Sequence, residues 1–315
     1  MEKNLTPKII LIVFTVFTNF LFWSCKCSDD DLSARKPKPW DNILLSVDNI
    51  EEQKAGKSGV KTRTTYSKLY NNFGKLDTAT YLAEKLFFNR NGRIEQRIQY
   101  LSTGRVFSDW RYEYKHGILS RSVSKNSYDE KIAEEIISFD DNMDETEFKE
   151  YNYKSKDFNS TIVKYDKNKF AVETVTLDPK GNQISKTVYE YKLKNLYRKK
   201  EFDRSGTLTA GTIYEYDKQN RLIKETKSTT GISTKSVFEI KYENDKVTEI
   251  IDRDYVMKYD YANGKIVKEH HSIIGVGPQR RFDYFYNSKG LIKTKVHVSG
   301  IGKPELHVFY RYEFY

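Results

Sequence analysis

The chain has 315 residues, a formal net charge of +10 and a charged fraction of 31%. So much charge could indicate disorder, but 24 tyrosines and 18 phenylalanines supply enough apolar area for a folded core. Cys25 and Cys27 are the only cysteines. Their number excludes a disulfide framework and a zinc site of the zinc-finger type.

The first 24 residues have the pattern of an export signal. Lys3 and Lys8 precede an apolar run over residues 9–23, and the small residue Ser24 follows it. The run is short for a membrane-spanning helix, and its flanks are those of a signal peptide. We therefore expect the chain to leave the cytoplasm.

Ser24-Cys25 resembles the cleavage point of bacterial lipoprotein signals, in which the cysteine becomes the lipid-bearing first residue. The acidic run Asp29–Asp31 resembles the tag that Bacteroidetes-type lipoproteins carry for display on the outer surface. The resemblance implies a lipid on Cys25, a membrane partner through that anchor, and a lipoprotein of the outer membrane exposed on the cell surface. A plain signal peptide and a retained membrane helix are the alternatives.

Residues 25–58 have the composition of a tether. They hold the prolines of the stretch 36–39, the acidic run and the charged stretch 51–58. Residues 43–47 could form a first short strand. We otherwise expect a linker between residues 25 and 58, which leaves residues 59–315 as the folded domain.

From about residue 60 the chain repeats itself. Ten aromatic residues recur at intervals of 25 or 26 residues, with one interval of 19. They are Phe88, Tyr114, Phe139, Tyr165, Tyr191, Tyr216, Tyr242, Tyr261, Tyr286 and Tyr312. A steady period of this length is typical of a repeat architecture.

Each repeat has the pattern of a β-hairpin. In residues 212–226, Tyr214 and Tyr216 alternate with other residues, Asp217 to Asn220 supply turn chemistry, and alternation then resumes. A second set of turns lies midway between those of the first set, for example at 178–182. The domain is therefore predicted to be all-β, an antiparallel β-meander of about twenty short strands in a curled or extended sheet.

The motif Tyr214-Glu-Tyr-Asp217 followed by Asn220-Arg-Leu222 resembles the tyrosine-aspartate (YD, Rhs-type) repeat. Tyr259-Asp260 with Gly264-Lys-Ile266 is similar. The resemblance covers most of residues 60–315, although only the copies around 165, 216 and 260 keep a Tyr-Asp pair. It implies strands that wind into long curled sheets, sometimes closed as shells, and a structural surface rather than a chemistry.

One segment admits a helix. Isoleucines at 132, 136 and 137 have helical spacing behind Ser127. A strand that ends at Phe139 keeps the register of the repeat, and we favour it.

No catalytic, cofactor-binding or metal-binding residue is predicted, because the sequence holds no nucleophile elbow, phosphate loop or His-Glu-x-x-His motif. His297 and His307 could face each other across a hairpin and join His270 or His271 at a metal, but no spacing requires this. Arg280 and Arg281 form the densest local charge and are weak candidates for contact with an anionic glycan. We expect no nucleic-acid partner.

Three functions remain. The first is a surface-anchored, non-catalytic binding or scaffold module for a glycan or protein ligand, since repeated sheets offer long contact faces. The second is an outer-membrane β-barrel, suggested by the aromatic-rich ending 307–315. The third is a carbohydrate-active enzyme with an unrecognised site.

Overall fold

A computed structural model describes residues 47–71 and 73–315. This part of the chain forms one helix, α1 Val47–Lys57, and twenty strands. The strands are β1 Val60–Leu69, β2 Tyr81–Phe88, β3 Ile94–Tyr100, β4 Val106–Lys115, β5 Ile118–Lys125, β6 Lys131–Phe139, β7 Glu145–Asn152, β8 Asp157–Tyr165, β9 Ala171–Leu177, β10 Gln183–Lys192, β11 Asn195–Phe202, β12 Leu208–Tyr216, β13 Leu222–Thr229, β14 Ser236–Glu243, β15 Lys246–Asp252, β16 Tyr255–Ala262, β17 Lys265–Ile273, β18 Gly277–Tyr286, β19 Ile292–Ser299 and β20 Pro304–Phe314. No helix within the described ranges is long and apolar enough to cross a membrane.

The sheet closes on itself. Each strand pairs antiparallel with the next, and β20 pairs with β1. At this seam Thr64 lies opposite Arg311 and Leu69 lies opposite Leu306. Closure gives every strand two neighbours and removes the free edges of an open sheet. The predicted all-β antiparallel meander of twenty strands is confirmed, and its sheet is curled into a barrel rather than extended.

The repeated aromatics lie within three residues of the end of the even-numbered strands. We call this end of the barrel the near end and the opposite end the far end. The hydroxyl of Tyr216 donates to the carbonyl oxygen of Leu196, near the start of the preceding strand, at 3.0 Å. The equivalent bond is made by Tyr114, Tyr191, Tyr242, Tyr261, Tyr286 and Tyr312. Each of these tyrosines therefore links two neighbouring strands in addition to their backbone ladder.

The turns at the near end are of two kinds. After Tyr216, the carboxylate of Asp217 accepts hydrogen bonds from the backbone N–H groups of Gln219 and Arg221, both at 2.9 Å. After Tyr261, the chain turns through Asn263 and Gly264 alone, with φ of 50° and 78°. Positive φ at both central residues defines the two-residue hairpin turn. Tyr114, Tyr191 and Tyr242 are likewise followed by turns with two residues of positive φ, and no aspartate comes directly after these tyrosines.

The two faces of the sheet differ in charge pattern. The tyrosine face carries Tyr214, Tyr216 and the residues in phase with them. On the opposite face, which we call the charged face, Glu249 of β15 bonds Lys241 at 2.6 Å and Lys258 at 3.1 Å on its two neighbouring strands. Comparable cross-strand pairs on that face join Arg121 to Glu113, Lys164 to Glu173 and Lys200 to Glu190.

Helix α1 packs on the tyrosine face. Ala55 shares a buried cluster with Leu86 and Phe88 of β2, and Val47 shares another with residues of β18 and β19. With its ion pairs to β1 and β3, the helix contacts β18, β19 and β1 to β3, and aromatic residues of β20 pack against the same two clusters. A straight helix about 16 Å long reaches so many strands only from the concave side of a curved sheet. The tyrosine face is therefore the inner wall of the barrel.

Both clusters of buried apolar residues lie against α1. Farther around the barrel, the inner wall carries half-buried aromatic and charged side chains, among them Lys199, Tyr214 and Glu225. Both clusters therefore fill the part of the lumen beside α1, and the remaining inner wall combines half-buried polar groups with buried apolar side chains such as Phe148, Leu196 and Ile240.

Two local predictions are resolved by the described residues. The segment that could have been helical forms strand β6, which ends at Phe139 as its register requires. The linker predicted over residues 25–58 is wrong for residues 47–57, which form α1. The stretch is polar, and its helix is held by ion pairs to distant strands that no local pattern reveals. Val47 belongs to this helix and not to the short strand considered over residues 43–47, of which residues 43–46 lie outside the described ranges.

Candidate ligand-binding site on the inner wall

Four buried or half-buried charged groups fix α1 to the wall. Glu52 of α1 pairs with Arg63 of β1 at 3.0 Å and with Arg97 of β3 at 2.7 Å, and Glu84 of β2 contacts both arginines. Burial lowers the pKa of Arg63, but the carboxylates of Glu52 and Glu84 raise it above its ordinary value. All four groups are thereby matched in charge, so this cluster holds the helix against the wall.

A second ion pair lies at the start of the helix. Asp48 accepts from the ammonium of Lys295 at 3.1 Å. That ammonium also lies 4.7 Å from the centre of the Phe282 ring and 5.4 Å from that of Tyr284. Burial raises the pKa of Asp48, but Lys295 brings it below its usual range. The first turn of α1 is thus charged and bound to the middle of β18 and β19.

Beside this pair, five side chains form what we call the His271 network: Tyr255, Glu269, His271, Arg280 and Tyr284. Glu269 accepts from the Tyr284 hydroxyl at 2.6 Å and lies 2.6 Å from Nε2 of His271. Nδ1 of His271 bonds the hydroxyl of Tyr255. Arg280 donates from Nη2 to the same hydroxyl at 3.4 Å. The network thus runs across three neighbouring strands, β16 to β18.

Two members of the network, Glu269 and Tyr284, have pKa values shifted from their ordinary range. Burial raises the pKa of Glu269, but the hydrogen bonds from His271 and Tyr284 lower it below its ordinary value. Burial and the neighbouring Glu269 raise the pKa of Tyr284. At pH 7 Glu269 is therefore a carboxylate and Tyr284 a neutral hydroxyl that donates to it.

Aromatic edges border the network. His271 lies edge-on to Phe282 with ring centres 5.0 Å apart, and Phe282 lies edge-on to His297 at 4.7 Å. Burial and the nearby charge of Lys295 lower the pKa of His297 to about 4. His297 is therefore neutral at pH 7 and packs as an aromatic ring.

The network passes from buried to exposed groups towards the far end. His271 is buried, Tyr255 is half-buried and Arg280 is exposed. An exposed guanidinium beside a tyrosine hydroxyl offers hydrogen-bond donors and a positive charge, which suit carboxylate or sulfate oxygens. The arrangement can bind and orient an anionic group that enters the lumen.

The two arginines chosen from the sequence lie on opposite faces of β18. Arg280 belongs to the inner wall, whereas Arg281 lies on the charged face and pairs with Asp283 through two bonds of 2.7 and 2.9 Å. Strand alternation separates adjacent residues in this way. Of the pair, Arg280 joins the network and Arg281 is neutralised by Asp283.

The histidines do not gather. His297 lies on the inner wall opposite Phe282, and His307 on the charged face beside Val296. His271 belongs to the network, whereas His270 pairs with Asp260 on the charged face at 3.0 Å. Over the ranges 47–71 and 73–315 there is no group of three or more potential metal ligands. Cys25 and the acidic run after it lie outside the described residues.

Sequence reasoning missed Tyr255, Glu269 and Tyr284, and it considered His271 only as a possible metal ligand. They are separated by up to 29 residues, and they meet because β16, β17 and β18 are successive strands. Residues of one phase in adjacent hairpins share a face, which is the signal that could have found them. The one-residue bulges near Tyr261 and His271 made that phase uncertain from sequence alone.

Comparison with known proteins gives similarity of structure alone. No family model matches the chain, and no curated protein matches it. In a crystal structure of TcdB2-TccC3-Cdc42, the similar chain is 11% identical with a TM-score of 0.42, over 79% of this chain and 16% of that one. The Photorhabdus luminescens Tc holotoxin pore gives 11% and 0.40, over 75% and 15%. This chain thus spans about a sixth of those toxin chains.

A porin-like protein from Bacteroides uniformis is similar over nearly its whole length. The identity is 10% and the TM-score 0.34, over 81% of this chain and 96% of that one.

Proposed function

We propose that the chain is a non-catalytic binding protein, held at the bacterial outer surface by a lipid on Cys25, whose barrel takes an anionic glycan. The observation that carries the proposal is Arg280, an exposed guanidinium on the inner wall that hydrogen-bonds the hydroxyl of Tyr255. A glycan that bears carboxylates or sulfates would meet this charge, and its hydroxyls would meet polar groups of the half-buried wall.

An outer-membrane barrel is the second candidate, because the sheet is closed and its seam strand β20 ends in aromatic residues. A membrane-spanning barrel turns an apolar band about 25 Å tall towards lipid. Here the convex face carries ion pairs in the middle of its strands, such as Lys241 to Glu249 to Lys258. Charges at that depth cost about 2 to 4 kcal/mol each for Lys or Arg, so we favour a barrel surrounded by water.

Binding of acidic polysaccharides tests the site. The probes are polygalacturonate and chondroitin sulfate, with dextran as the neutral control. Arg280→Ala should weaken binding of the acidic probe about tenfold or more, since a charge-assisted contact is lost. Arg281→Ala is the matched control, because it removes the same charge from the other face of the same strand.

Equal loss in the two variants would point to general charge attraction and contradict the site. Failure of every acidic probe to bind would contradict the anionic ligand. Recovery of shortened polysaccharide from incubation with the protein would contradict the non-catalytic assignment and favour a hydrolase.

Fractionation of cells tests the anchor separately. Cys25→Ser should move the protein out of the membrane fraction or stall its processing, whereas Cys27→Ser should leave it there. A Cys25→Ser protein that stays membrane-bound and is processed normally would refute the lipid anchor. Protease treatment of intact cells should cut a displayed protein within the predicted tether.

A further inference from the structure

Four neighbouring loops at the far end expose apolar side chains at their tips. They join β17 to β18, β19 to β20, β1 to β2, and β3 to β4, and these eight strands are consecutive around the barrel. Val276, Ile301 and Phe73 are 72%, 89% and 88% exposed, and Ile274 and Leu101 are also exposed. We call these four loops the far-rim arc. At the usual strand spacing the arc extends over roughly 34 Å.

The near end has a different composition. Its described turns consist mainly of Asp, Asn, Gly and Lys, and their one apolar residue of comparable exposure is Leu193, at 86%. Single exposed apolar residues are normal on a protein surface, and two other far-end loops carry one each, Tyr128 and Ile232. A group of them in four neighbouring loops marks a contact surface. The two ends of the barrel are therefore suited to contact with different environments.

The far-rim arc is also basic. The four loops, residues 70–80, 101–105, 274–276 and 300–303, contain the charged residues Lys75, Arg105, Lys303 and Asp77. Three positive charges and one negative charge give the arc a net charge of +2. Apolar tips flanked by lysine and arginine have the composition of segments that insert into the headgroup region of anionic membranes.

The apolar tips protrude separately. Glycines with positive φ lie next to several of them, including Gly74, Gly275 and Gly302, so the apolar residues stand on tight turns. A protein partner would need a matching pocket for each tip, because specific interfaces are closely packed at their core. A lipid surface accepts separate tips without such complementarity, which favours lipid as the occupant.

The direction of α1 agrees with this placement. Val47 packs beside Phe282 in the middle of the wall, and Gly56 lies against Gly92 in a near-end turn. The N-terminus of α1 therefore points to the far end. The 21 residues between Cys25 and Val47 can span at most about 75 Å, so a lipid on Cys25 could lie on the arc's side. This step alone rests on the proposed anchor.

We propose that the far-rim arc docks on an anionic lipid bilayer by inserting its apolar tips among the headgroups. The barrel then stands on the membrane by one part of its far rim, while its charged outer face remains in water. Docking of this kind fixes the orientation of the lumen relative to the membrane. A lipid on an extended tether alone would leave that orientation free.

Site-specific labelling tests the orientation. In the full chain carrying Cys25→Ser and Cys27→Ser, no lipid and no other thiol is present, and Ile301→Cys receives an environment-sensitive NBD label. Vesicles of phosphatidylcholine with phosphatidylglycerol should brighten the label and shift its emission to shorter wavelength. The matched label at Leu193→Cys, equally exposed at the near end, should not respond. No response at 301, or equal responses at both positions, would overturn the proposal.

Vesicle flotation tests the binding itself. In the same background, Phe73→Ser, Val276→Ser and Ile301→Ser together should lower the vesicle-bound fraction about tenfold, while Leu193→Ser leaves it at the parent level. The parent level includes any binding by the N-terminal residues, which all variants share, and the tenfold loss refers to the vesicle binding above that shared level. Equal flotation of the triple variant and the parent would refute docking by the arc.

A label at 301 that responds to protein concentration without vesicles would instead identify the arc as an interface between copies of the chain and overturn lipid docking. Neither experiment involves a glycan or Arg280. A failure of membrane docking is therefore distinguishable from a failure of the proposed glycan site.

Discussion

At the scale of single residues, the repeated tyrosine has two roles that the alternation pattern does not separate. Its ring covers the inner wall, and its hydroxyl fixes the start of the preceding strand, as Tyr216 does with Leu196. A cation often covers the ring from the neighbouring repeat, and the Arg221 guanidinium lies 4.4 Å from the centre of the Tyr242 ring. The Arg or Lys after the turn therefore belongs to the same structural unit as the tyrosine of the next hairpin.

Substitutions at Tyr216 should resolve the two roles. Tyr216→Phe should destabilise the fold by about 1 kcal/mol, because only the hydroxyl is lost. Tyr216→Ala should cost about 3 kcal/mol or more, since the ring is lost as well. Lys218→Ala, in the adjoining turn, should stay within about 0.5 kcal/mol of the parent. Urea unfolding measures all three, and equal values for Phe and Ala would show that the ring packs against nothing of consequence.

Glu134 on the charged face should make stability depend on pH in acid. Burial raises its pKa, but hydrogen bonds from Tyr153, Arg121 and Lys131 bring it to about 2, against an ordinary value of 4.5. A carboxyl whose pKa is lowered on folding stabilises the folded state above its unfolded pKa. This contribution should be present above pH 4.5 and be lost as the pH falls towards 2.

Glu134→Gln should therefore lower the free energy of unfolding at pH 7 by about 1 to 3 kcal/mol and flatten its decline below pH 4.5. Thermal unfolding across the acid range measures the effect. Glu215→Gln, at an exposed position of β12, is the control. Its free energy of unfolding should decline in acid as that of the parent does. If the free energy of unfolding of Glu134→Gln declined in acid as steeply as that of the parent, the role of this carboxylate would be contradicted.

At the scale of elements, the strands were predictable and the helix was not. The alternation around Tyr214 and Tyr216 and the turn residues after them are local signals, and ten copies reinforce one another. α1 has few apolar residues, and its stability comes from contacts such as Glu52 with Arg63 and Asp48 with Lys295. Its docking on β18, β19 and β1 to β3 joins residues far apart in sequence, which no pattern inside residues 47–57 could reveal.

The candidate site shows the same limit. Arg280 was predicted from its local charge, but its partner Tyr255 lies 25 residues earlier and meets it through the shared face of β16 and β18. Arg281 had the same local signal and lies on the other face. A shift of one residue in register exchanges the two faces, and bulges introduce such shifts without a distinct sequence signal.

Gly56 tests the docking of α1. A Cβ at this position would lie 2.0 Å from the carbonyl oxygen of Gly92, so the helix and the turn would have to separate. Alanine favours a helix over glycine by about 1 kcal/mol. The clash should outweigh this gain, and we expect Gly56→Ala to destabilise the fold by about 1 to 3 kcal/mol in urea unfolding.

Gly211→Ala is the matched control. The nearest atom to its added Cβ is Oγ of Ser228, at an ordinary contact distance of 3.7 Å. Its effect should lie within about 0.5 kcal/mol of zero. A Gly56→Ala protein as stable as the parent would mean that α1 does not press against the turn between β2 and β3.

At the scale of the whole molecule, closure determines which surfaces are available. The repeat fixes each hairpin, yet an open sheet and a barrel contain the same hairpins, so the repeat alone left both forms possible. The difference lies in one pairing, β1 with β20, between residues about 240 positions apart in sequence. Closing so long a loop costs entropy that the seam and the packing of α1 across it must offset. The helix contacts strands on both sides of the seam, and so it stabilises closure.

Disulfide trapping tests the seam directly. Lys68 of β1 lies opposite His307 of β20 on the charged face. Opposed Cα atoms in an antiparallel pair lie about 4.5 to 5.5 Å apart, within the range that a disulfide bridges. In the background of Cys25→Ser and Cys27→Ser, the double variant Lys68→Cys with His307→Cys should oxidise to an intramolecular disulfide, seen as faster migration without reductant.

The matched control keeps Lys68→Cys and moves its partner four residues along the same face, to Arg311→Cys. The register puts Arg311 opposite Thr64, so this pair is too far apart to bridge and should stay reduced under the same oxidant. Equal oxidation of both pairs would indicate a mobile β20. Oxidation of neither, with the chain folded by circular dichroism, would mean that the sheet is open at β1, and the lumen on which the proposed glycan site depends would not exist.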